Sequence, residues 1–407
     1  MSSRFLQIHT LTSYPGTLLN RDDAGFAKRL PFGGAVRTRI SSQCLKRHWR
    51  THKGDFSLDQ LGEPLAIRSR LTFEEKLVKP LIAEGTDPEV VREVVASLMK
   101  TVLGQSAKAE KKKGEKGEEE VSAKTGQVTV LGPKEVDYLL KVTRDLCAGL
   151  KPGKELGKQV EASLKKAVDK EAKKNLAALG KAAKGLDAAL FGRMVTGDLL
   201  ARGDAAIHVA HALTVHEEQS ESDYFSAVDE LQRESSDEGG IGSGHINSSE
   251  LTSGLYYSYV VVDVPLLVSN LEGCPQSEWQ KADPALARKV LESLVQLIST
   301  VTPGAKLGST APYARPHLMM VEAGDAQPRT LANAFLNPVS LRKGTDLVEA
   351  TYGAVGRYLG ELDQMFPKQV PSRRLAGIGP TEDLLKVVAQ EKRVSVDDLA
   401  SWAAASL

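Results

Sequence analysis

Three features of the 407-residue sequence predict an α+β fold. Apolar, β-branched stretches open the chain and recur in its second half, a long Lys- and Ala-rich helical stretch separates them, and a capped amphipathic helix is followed by a further strand pattern. Strand, basic helix, interruption, long strand, helix, strand is the order of a split βαβ sheet of the ferredoxin-like or RRM kind, with a helical insertion between its halves.

"FLQIHTLT" (Phe5 to Thr12) alternates loosely, is rich in β-formers and reads as the first strand. "SYPGTLLNRDDAGFAKRLPFGG" reads as a loop, with Pro15, Gly16, Pro31 and Gly33-Gly34 as breakers. A helix is expected from Ser41 or Ser42, as N-cap, to Thr51. Residues 71–186 form the helical insertion. In "DPEVVREVVASLMKTVLG", Asp87 caps, Pro88 starts the helix, and Val90, Val91, Val94, Val95, Leu98, Met99 and Val102 recur at helical spacing up to Gly104. "PKEVDYLLKVTRDLCAGL" repeats the pattern, and "ASLKKAVDKEAKKNLAALGKAAKGL" has high helix propensity. Between the first two helices, the Lys/Glu/Gly tract at 106–124 has too few apolar residues to order itself and reads as a flexible loop. "AIHVAHALTVH" reads as a strand, and an acidic, Gly-containing stretch follows it. "GLYYSYVVVDVPLLV" is the densest strand pattern. "DPALARKVLESLVQLISTVTPG" is a helix capped by Asp283, started at Pro284 and stopped by Gly304; "HLMMVEA" is a strand, and the remainder reads as short helices with Ser395 as an N-cap.

With 41% hydrophobic and 26% charged residues the chain reads as soluble and globular. Its longest apolar run, "YVVVDVPLLV", is broken by Asp263 and Pro265, too short to span a bilayer. The start "MSSRFLQIHT" carries no secretory pattern, so a cytoplasmic protein is expected. Cys44, Cys147 and Cys274 are few, odd in number and without a CxxC, which suits neither a disulfide framework nor a zinc knuckle. The net charge of +1 conceals a segregation: residues 1–55 balance at +7 and residues 217–238 at −8. Such asymmetry points to a polyanion partner, to self-association through opposite surfaces, or to both.

The basic part concentrates in "NRDDAGFAKRLPFGGAVRTRISSQCLKRHWR", eight Lys/Arg against two Asp. At helical geometry Gln43, Lys46, Arg47 and Arg50 fall within an arc of about 100°, opposite Cys44, Leu45, His48 and Trp49. One face packs, and the other is a comb of donors with the spacing of phosphates along a strand. A Ser-started helix N-terminus also offers free N–H groups to a phosphate. Arg21, Lys28, Arg29, Arg37 and Arg39 are expected to converge on it from the preceding loop, with too few acids nearby to pair them.

Other chemistry finds less support. "FGGAVRTRIS" lacks a Walker-type pattern, and "GGIGSGH" has His245 where the last Gly of GxGxxG belongs. On a strand, His208 and His216 share a face and His211 points away, so no metal site is expected. Asp22 and Asp23 could bind Mg²⁺ in a ribonuclease, but adjacent residues of extended chain diverge, and pairing with arginines such as Arg21 is the plainer role. Met194 of "LFGRM" reads as core from the sequence alone, and the aromatics of "YYSY" as strand packing, since the RNP1 pattern is absent.

"NRDD…FGG…RTRISSQCLKRHWR", "LFGRM", "VAHALTVH…SDYFSAVDEL", "SGLYYSYVVVD", "TPGAKLGSTAPY" and "LANAF", in that order from residue 4 to about 340, resemble the CasC-type backbone subunit of the type I-E CRISPR Cascade complex. The resemblance implies a non-enzymatic right-hand-like protein: an RRM-like palm (1–70, 187–214 and, with C-terminal helices, 251–407), helical fingers (71–186) and a thumb hairpin (215–250). It implies that Arg21, Ser41, Gln43, Lys46, Arg47 and Arg50 hold the backbone of a CRISPR RNA, and that Met194 wedges against displaced bases. Copies would line up head to tail along the spacer, beside other Cascade subunits and away from any membrane, presenting the RNA for pairing with target DNA. No cofactor, metal or catalytic residue is implied. The acids Glu217, Glu218 and Glu221 are expected to meet basic surface on the adjacent copy, and the Lys-rich 151–186 to be solvated helix surface, with sequence-independent contact to target DNA as the alternative. A metal-dependent ribonuclease using Asp22 or Asp23, and a monomeric RNA chaperone, are the alternatives.

Overall fold

The computed structural model describes residues 3–103, 111–113, 119–121, 123–167, 179–193, 203–228, 243–342, 344 and 346–407. The chain divides into two compact units, one of residues 1–57, 208–262 and 288–407, the other of residues 58–207 and 263–287.

The first unit is built on a sheet that has nine strands among the described residues: β1 (Phe5–Thr17), β2 (Arg29–Phe32), β3 (Ala35–Ile40), β4 (Ile207–Val209), β5 (Ala212–Thr214), β6 (Ser220–Val228), β7 (Ser243–Asp263), β8 (Pro316–Gly324) and β9 (Ser372–Gly377). Its order is β9-β8-β1-β7-β5-β3-β2, with β4 and β6 also paired to β7. Helices α1 (Ser42–Thr51), α2 (Ala285–Thr300), α3 (Leu347–Met365) and α4 (Val396–Ala405) belong to this unit or enter it. The result is a mixed α+β fold with antiparallel pairing between β1 and β8, β8 and β9, and β6 and β7.

Alternation along β1 sends Gln7, His9 and Leu11 to one face and Leu6, Ile8 and Thr10 to the other, and all six are buried. Both faces of the sheet are therefore covered here. On the first face, Leu11, Tyr257, Leu318, Met320 and Leu375 pack with Leu331, Phe335, Tyr352, Val355 and Leu359, so α3 and the turn before it close the surface that an open RRM sheet would offer to bases. Of the "YYSY" aromatics, Tyr257 and Tyr259 are absorbed in this packing and Tyr256 alternates to the other face. Tyr256 meets Tyr14 edge to face, while the Tyr257 hydroxyl lies 2.9 Å from His9 Nδ1 and accepts the Leu331 N–H at 2.9 Å. Below it, Glu322 accepts from Arg329 and from Arg373, and Arg373 also pairs with Asp363. Burial opposes ionisation of Glu322, but the His9 and Arg329 hydrogen bonds hold its carboxyl well below the usual range. Burial likewise keeps His9 below the ordinary imidazole value. A neutral ring donating from Nε2 to Glu322, at 3.1 Å, and accepting from Tyr257 satisfies every partner.

Several elements differ from the sequence reading. The stretch taken as a loop before α1 contains the hairpin β2–β3: Gly33 (φ 63°) and Gly34 (φ 78°) make the two-residue turn with positive φ that matches strand twist, and Pro31 is tolerated because β2 is the sheet edge. A Cβ on Gly33 would stand 1.6 Å from the Leu336 carbonyl oxygen. β1 runs on through Pro15 and Gly16, where the Gly16 N–H donates to Ser253 Oγ at 2.8 Å. The dense strand pattern stops at Asp263, whose carboxylate accepts the Leu266 N–H at 3.0 Å and starts a helix over Val264–Glu272; Pro265 falls in the first turn, where no N–H is needed. "AIHVAHALTVH" breaks into β4 and β5. The C-terminal part holds strand β9 as well as helices, its pattern hidden because the inward Arg373 is matched by Glu322 and Asp363 rather than being apolar. The capping residues read from the sequence hold: Asp283 accepts the Ala285 N–H, and Ser395 accepts the Asp398 N–H.

The second unit is mainly helical. Helix Pro88–Leu103 buries all seven apolar residues of its stripe, at about 1.5–3 kcal/mol for each large side chain removed from water. Helices Pro133–Cys147 and Leu156–Ala167 pack in the same core, with Phe73, Leu77, Val78 and Leu81. Inside the tract read as a flexible loop, Lys111–Lys113 pairs antiparallel with Glu119–Val121, a register that sets a Lys-type segment against a Glu-type one. Asp187 is fully buried and accepts from the Ala66 N–H at 2.6 Å and from Arg68. Arg193 of "LFGRM" turns inward to Glu135, while Met194 lies outside the described residues. No helix among the described residues is long and apolar enough to cross a membrane.

Candidate nucleic-acid interface

Helix α1 is fixed by its packing side. Leu45 and Trp49 are buried, and Ser41 caps the N-terminus by accepting the Cys44 N–H at 3.3 Å. His48 donates from Nδ1 to the Cys44 carbonyl at 2.8 Å and accepts the Gly304 N–H on Nε2 at 3.4 Å, which ties α1 to the loop after α2. Burial pushes the Cys44 thiol up to about 11, so it serves as packing rather than as a thiolate. With this side held, the opposite face is presented outward: Gln43 and Arg47 are exposed, Lys46 and Arg50 half-buried. Partial burial lowers the Lys46 ammonium from its ordinary value.

Asn20 joins the preceding loop to this helix. Its side-chain oxygen accepts the Ser41 N–H at 2.8 Å and its carbonyl accepts the Lys28 N–H at 2.9 Å. Arg21, the next residue, is exposed and bridges in antiparallel fashion to Ala27. Arg21 is thus carried beside the capped N-terminus of α1, where the comb begins at Gln43. Asn20 was not singled out in the sequence, although a polar residue next to a basic one before a Ser-capped helix is the available signal.

Three other basic residues of the segment, Arg29, Arg37 and Arg39, have different employment. Arg37, expected to converge on the polyanion, is fully buried: it donates to the Thr214 carbonyl at 3.0 Å, the Phe335 carbonyl at 2.9 Å and the Phe32 carbonyl at 3.3 Å. Its placement follows from β3 alternation, which sends Arg37 to the face opposite the exposed Val36. Arg39 donates to the Arg29 carbonyl and to His211 Nδ1 at 2.9 Å, and burial, with Arg39 and Lys28 nearby, lowers the His211 imidazole. Arg29 pairs with Glu218 and with Glu250, so acids do reach this segment, from far along the chain. Asp22 accepts the Phe26 N–H at 2.9 Å, closing a local turn; among the described residues it pairs with no arginine, contrary to expectation.

The three histidines are dispersed in role. His216 is buried, donates to the Glu217 carbonyl and accepts the Leu255 N–H; His211 sits with Arg39; His208 is exposed. Beside the stem of the β6–β7 hairpin an open groove of about 620 Å³ is lined by Gly16, Val36, Glu217, Glu218, Glu221 and Leu251. Its acidity disfavours a phosphate there, in contrast to the cationic face of α1. Residues 229–242, between β6 and β7 in the sequence, lie outside the described residues, as do 168–178 of the Lys-rich stretch.

Fold and site define an α+β protein with a cationic helix face and a basic loop set beside a covered antiparallel sheet. The chain belongs to the CT1975-like protein family, whose model matches residues 6–402. A chain of a CRISPR RNA-guided surveillance complex, pre-nicking, is 25% identical, with a TM-score of 0.73 over 99% of this chain and 100% of that one. Another, from a CRISPR RNA-guided surveillance complex, is 23% identical, with a TM-score of 0.65 over 99% and 100%, and bears on the fold alone. No curated protein sequence matches. Family and fold agree with the resemblance to a Cascade backbone subunit carried by the sequence motifs.

Proposed function

We propose that this protein is a non-catalytic backbone subunit of a type I-E CRISPR surveillance complex, acting in the cytoplasm. It binds CRISPR RNA without regard to sequence through Arg21, Ser41, Gln43, Lys46, Arg47 and Arg50. Phosphate contacts hold the guide, and bases stay free for pairing with target DNA. The observation that carries this reading is the α1 comb, with Arg21 delivered beside its capped N-terminus, in a chain whose whole length matches chains of RNA-guided complexes. The order β8-β1-β7-β5, with α1 following β1 and α2 following β7, supports an RRM-like palm; the helical unit is then the fingers and the β6–β7 hairpin the thumb. The covered sheet face leaves the helix and loop to meet RNA, which suits backbone rather than base recognition. Copies associate head to tail, a heterologous contact that propagates along the RNA, and other Cascade subunits cap the assembly.

Electron microscopy of the purified protein on single-stranded RNAs of increasing length tests this. Filaments that lengthen with the RNA are expected, and particles of constant size would instead indicate a monomeric chaperone. Incubation of protein and RNA with Mg²⁺ should leave the RNA intact; cleavage abolished by Asp22→Ala or Asp23→Ala would make the protein a ribonuclease.

A further inference from the structure

The segment that carries Arg21 is fastened to the hairpin stem by a small set of charged groups. Ala27 is 3% exposed, and its N–H donates to Glu250 Oε2 at 2.6 Å. Without that carboxylate a buried donor has no acceptor, a situation native backbones avoid. Glu250 Oε1 also takes the Arg29 guanidinium, which reaches Glu218 as well. Glu218 lies just before β6 and Glu250 on β7, opposite Ser222 in the register, so Arg29 spans both sides of the stem. The Glu218 N–H is itself held by the Val36 carbonyl at 2.9 Å. Because Ala27 bridges to Arg21, the chain of contacts runs from Glu250 through Ala27 to the residue assigned to phosphate.

We propose that Glu250, Glu218 and Arg29 form a clasp that positions Arg21 for the RNA backbone, Glu250 being the positioning residue. This deepens the function proposed above and rests on it. The clasp gives the acidic thumb base a task inside its own chain: Glu218, expected to face an adjacent copy, is engaged by Arg29. It also makes an acid beside an RNA site favourable to binding. By charge alone, removing a carboxylate near a polyanion strengthens the complex. By position, removing Glu250 frees Ala27, leaves Arg29 held by Glu218 alone, lets Arg21 drift, and weakens it. The two effects have opposite signs.

The test is the affinity of wild type, Glu250→Ala, Glu250→Gln and Glu218→Ala for a labelled single-stranded RNA of mixed sequence across a salt series, with amide hydrogen exchange of the free proteins. Glu250→Ala should bind about tenfold more weakly, the loss of one charged hydrogen bond, with a salt slope smaller by about one. Arg21→Ala added to it should cost nothing more. Glu250→Gln keeps an acceptor for Ala27 and should recover part of the loss, and Glu218→Ala should fall between. Exchange in 21–28 should quicken in Glu250→Ala while the α2 amides keep their protection, which separates a loosened clasp from an unfolded protein. Equal or tighter RNA binding by Glu250→Ala, or unchanged exchange in 21–28, overturns the clasp while the functional reading stands. A wild-type protein that holds no RNA overturns that reading and the clasp with it.

Discussion

Replacing Arg37 with Met separates structural from RNA-facing arginines within one short segment. The guanidinium is fully buried and donates to three backbone carbonyls, those of Phe32, Thr214 and Phe335. Arg37→Met keeps the length of the side chain and removes all three donors. Leaving buried acceptors unmet costs about 1–3 kcal/mol each, while relief of a buried charge offsets part of that, so a net loss of about 3 kcal/mol is expected. In a unit of this size each kcal/mol moves the melting temperature by about 2–4 °C, which gives a fall of about 6–12 °C by differential scanning calorimetry. The affinity of the folded variant for RNA and its salt slope should remain those of the wild type. A melting temperature within about 2 °C of wild type, or a salt slope reduced as if a phosphate contact were lost, would refute the assignment of Arg37 to the interior.

Arg47→Ala should do the reverse, weakening binding to all RNA sequences alike and lowering the salt slope by about one in fluorescence anisotropy, with little change in melting; a loss confined to one sequence would contradict phosphate contact. Gly33→Ala places a Cβ against the Leu336 carbonyl at a positive φ, so beyond the roughly 1–2 kcal/mol of left-handed strain it should force the β2–β3 turn from its seat, read as a lowered melting temperature. Stability should fall on acidification from pH 7 to pH 5. His9 and His216 are held below the ordinary imidazole value by burial, so the unfolded chain takes up protons near pH 6.5 that the folded chain refuses, at about 1.4 kcal/mol per pH unit for each group. Thermal melts that do not change over that range would place both rings outside the core.

The basic helix was legible because its information is local. A Ser cap, a 3.6-residue period and two large apolar residues on one side suffice to say which side faces out, and Leu45 and Trp49 are buried accordingly. The helix Pro88–Leu103 was legible for the same reason. The hairpin before α1 was missed although Gly33-Gly34 announced it, since Pro31 was read as a breaker without knowing that β2 would be an edge. Strand β9 was hidden because Arg373 is inward and ion-paired, which breaks the apolar alternation by which strands are recognised.

By itself the sequence determined the class of elements, the comb of Gln43, Lys46, Arg47 and Arg50, and the family motifs, all properties of residues near one another along the chain. Only the tertiary structure decided which arginines are available. Arg37 is withdrawn by carbonyls of Thr214 and Phe335, and Arg29 by Glu218 and Glu250, partners 177 to 298 residues away. Charge counts add residues wherever they stand, whereas a phosphate can be met only by a cation that folding has left facing water.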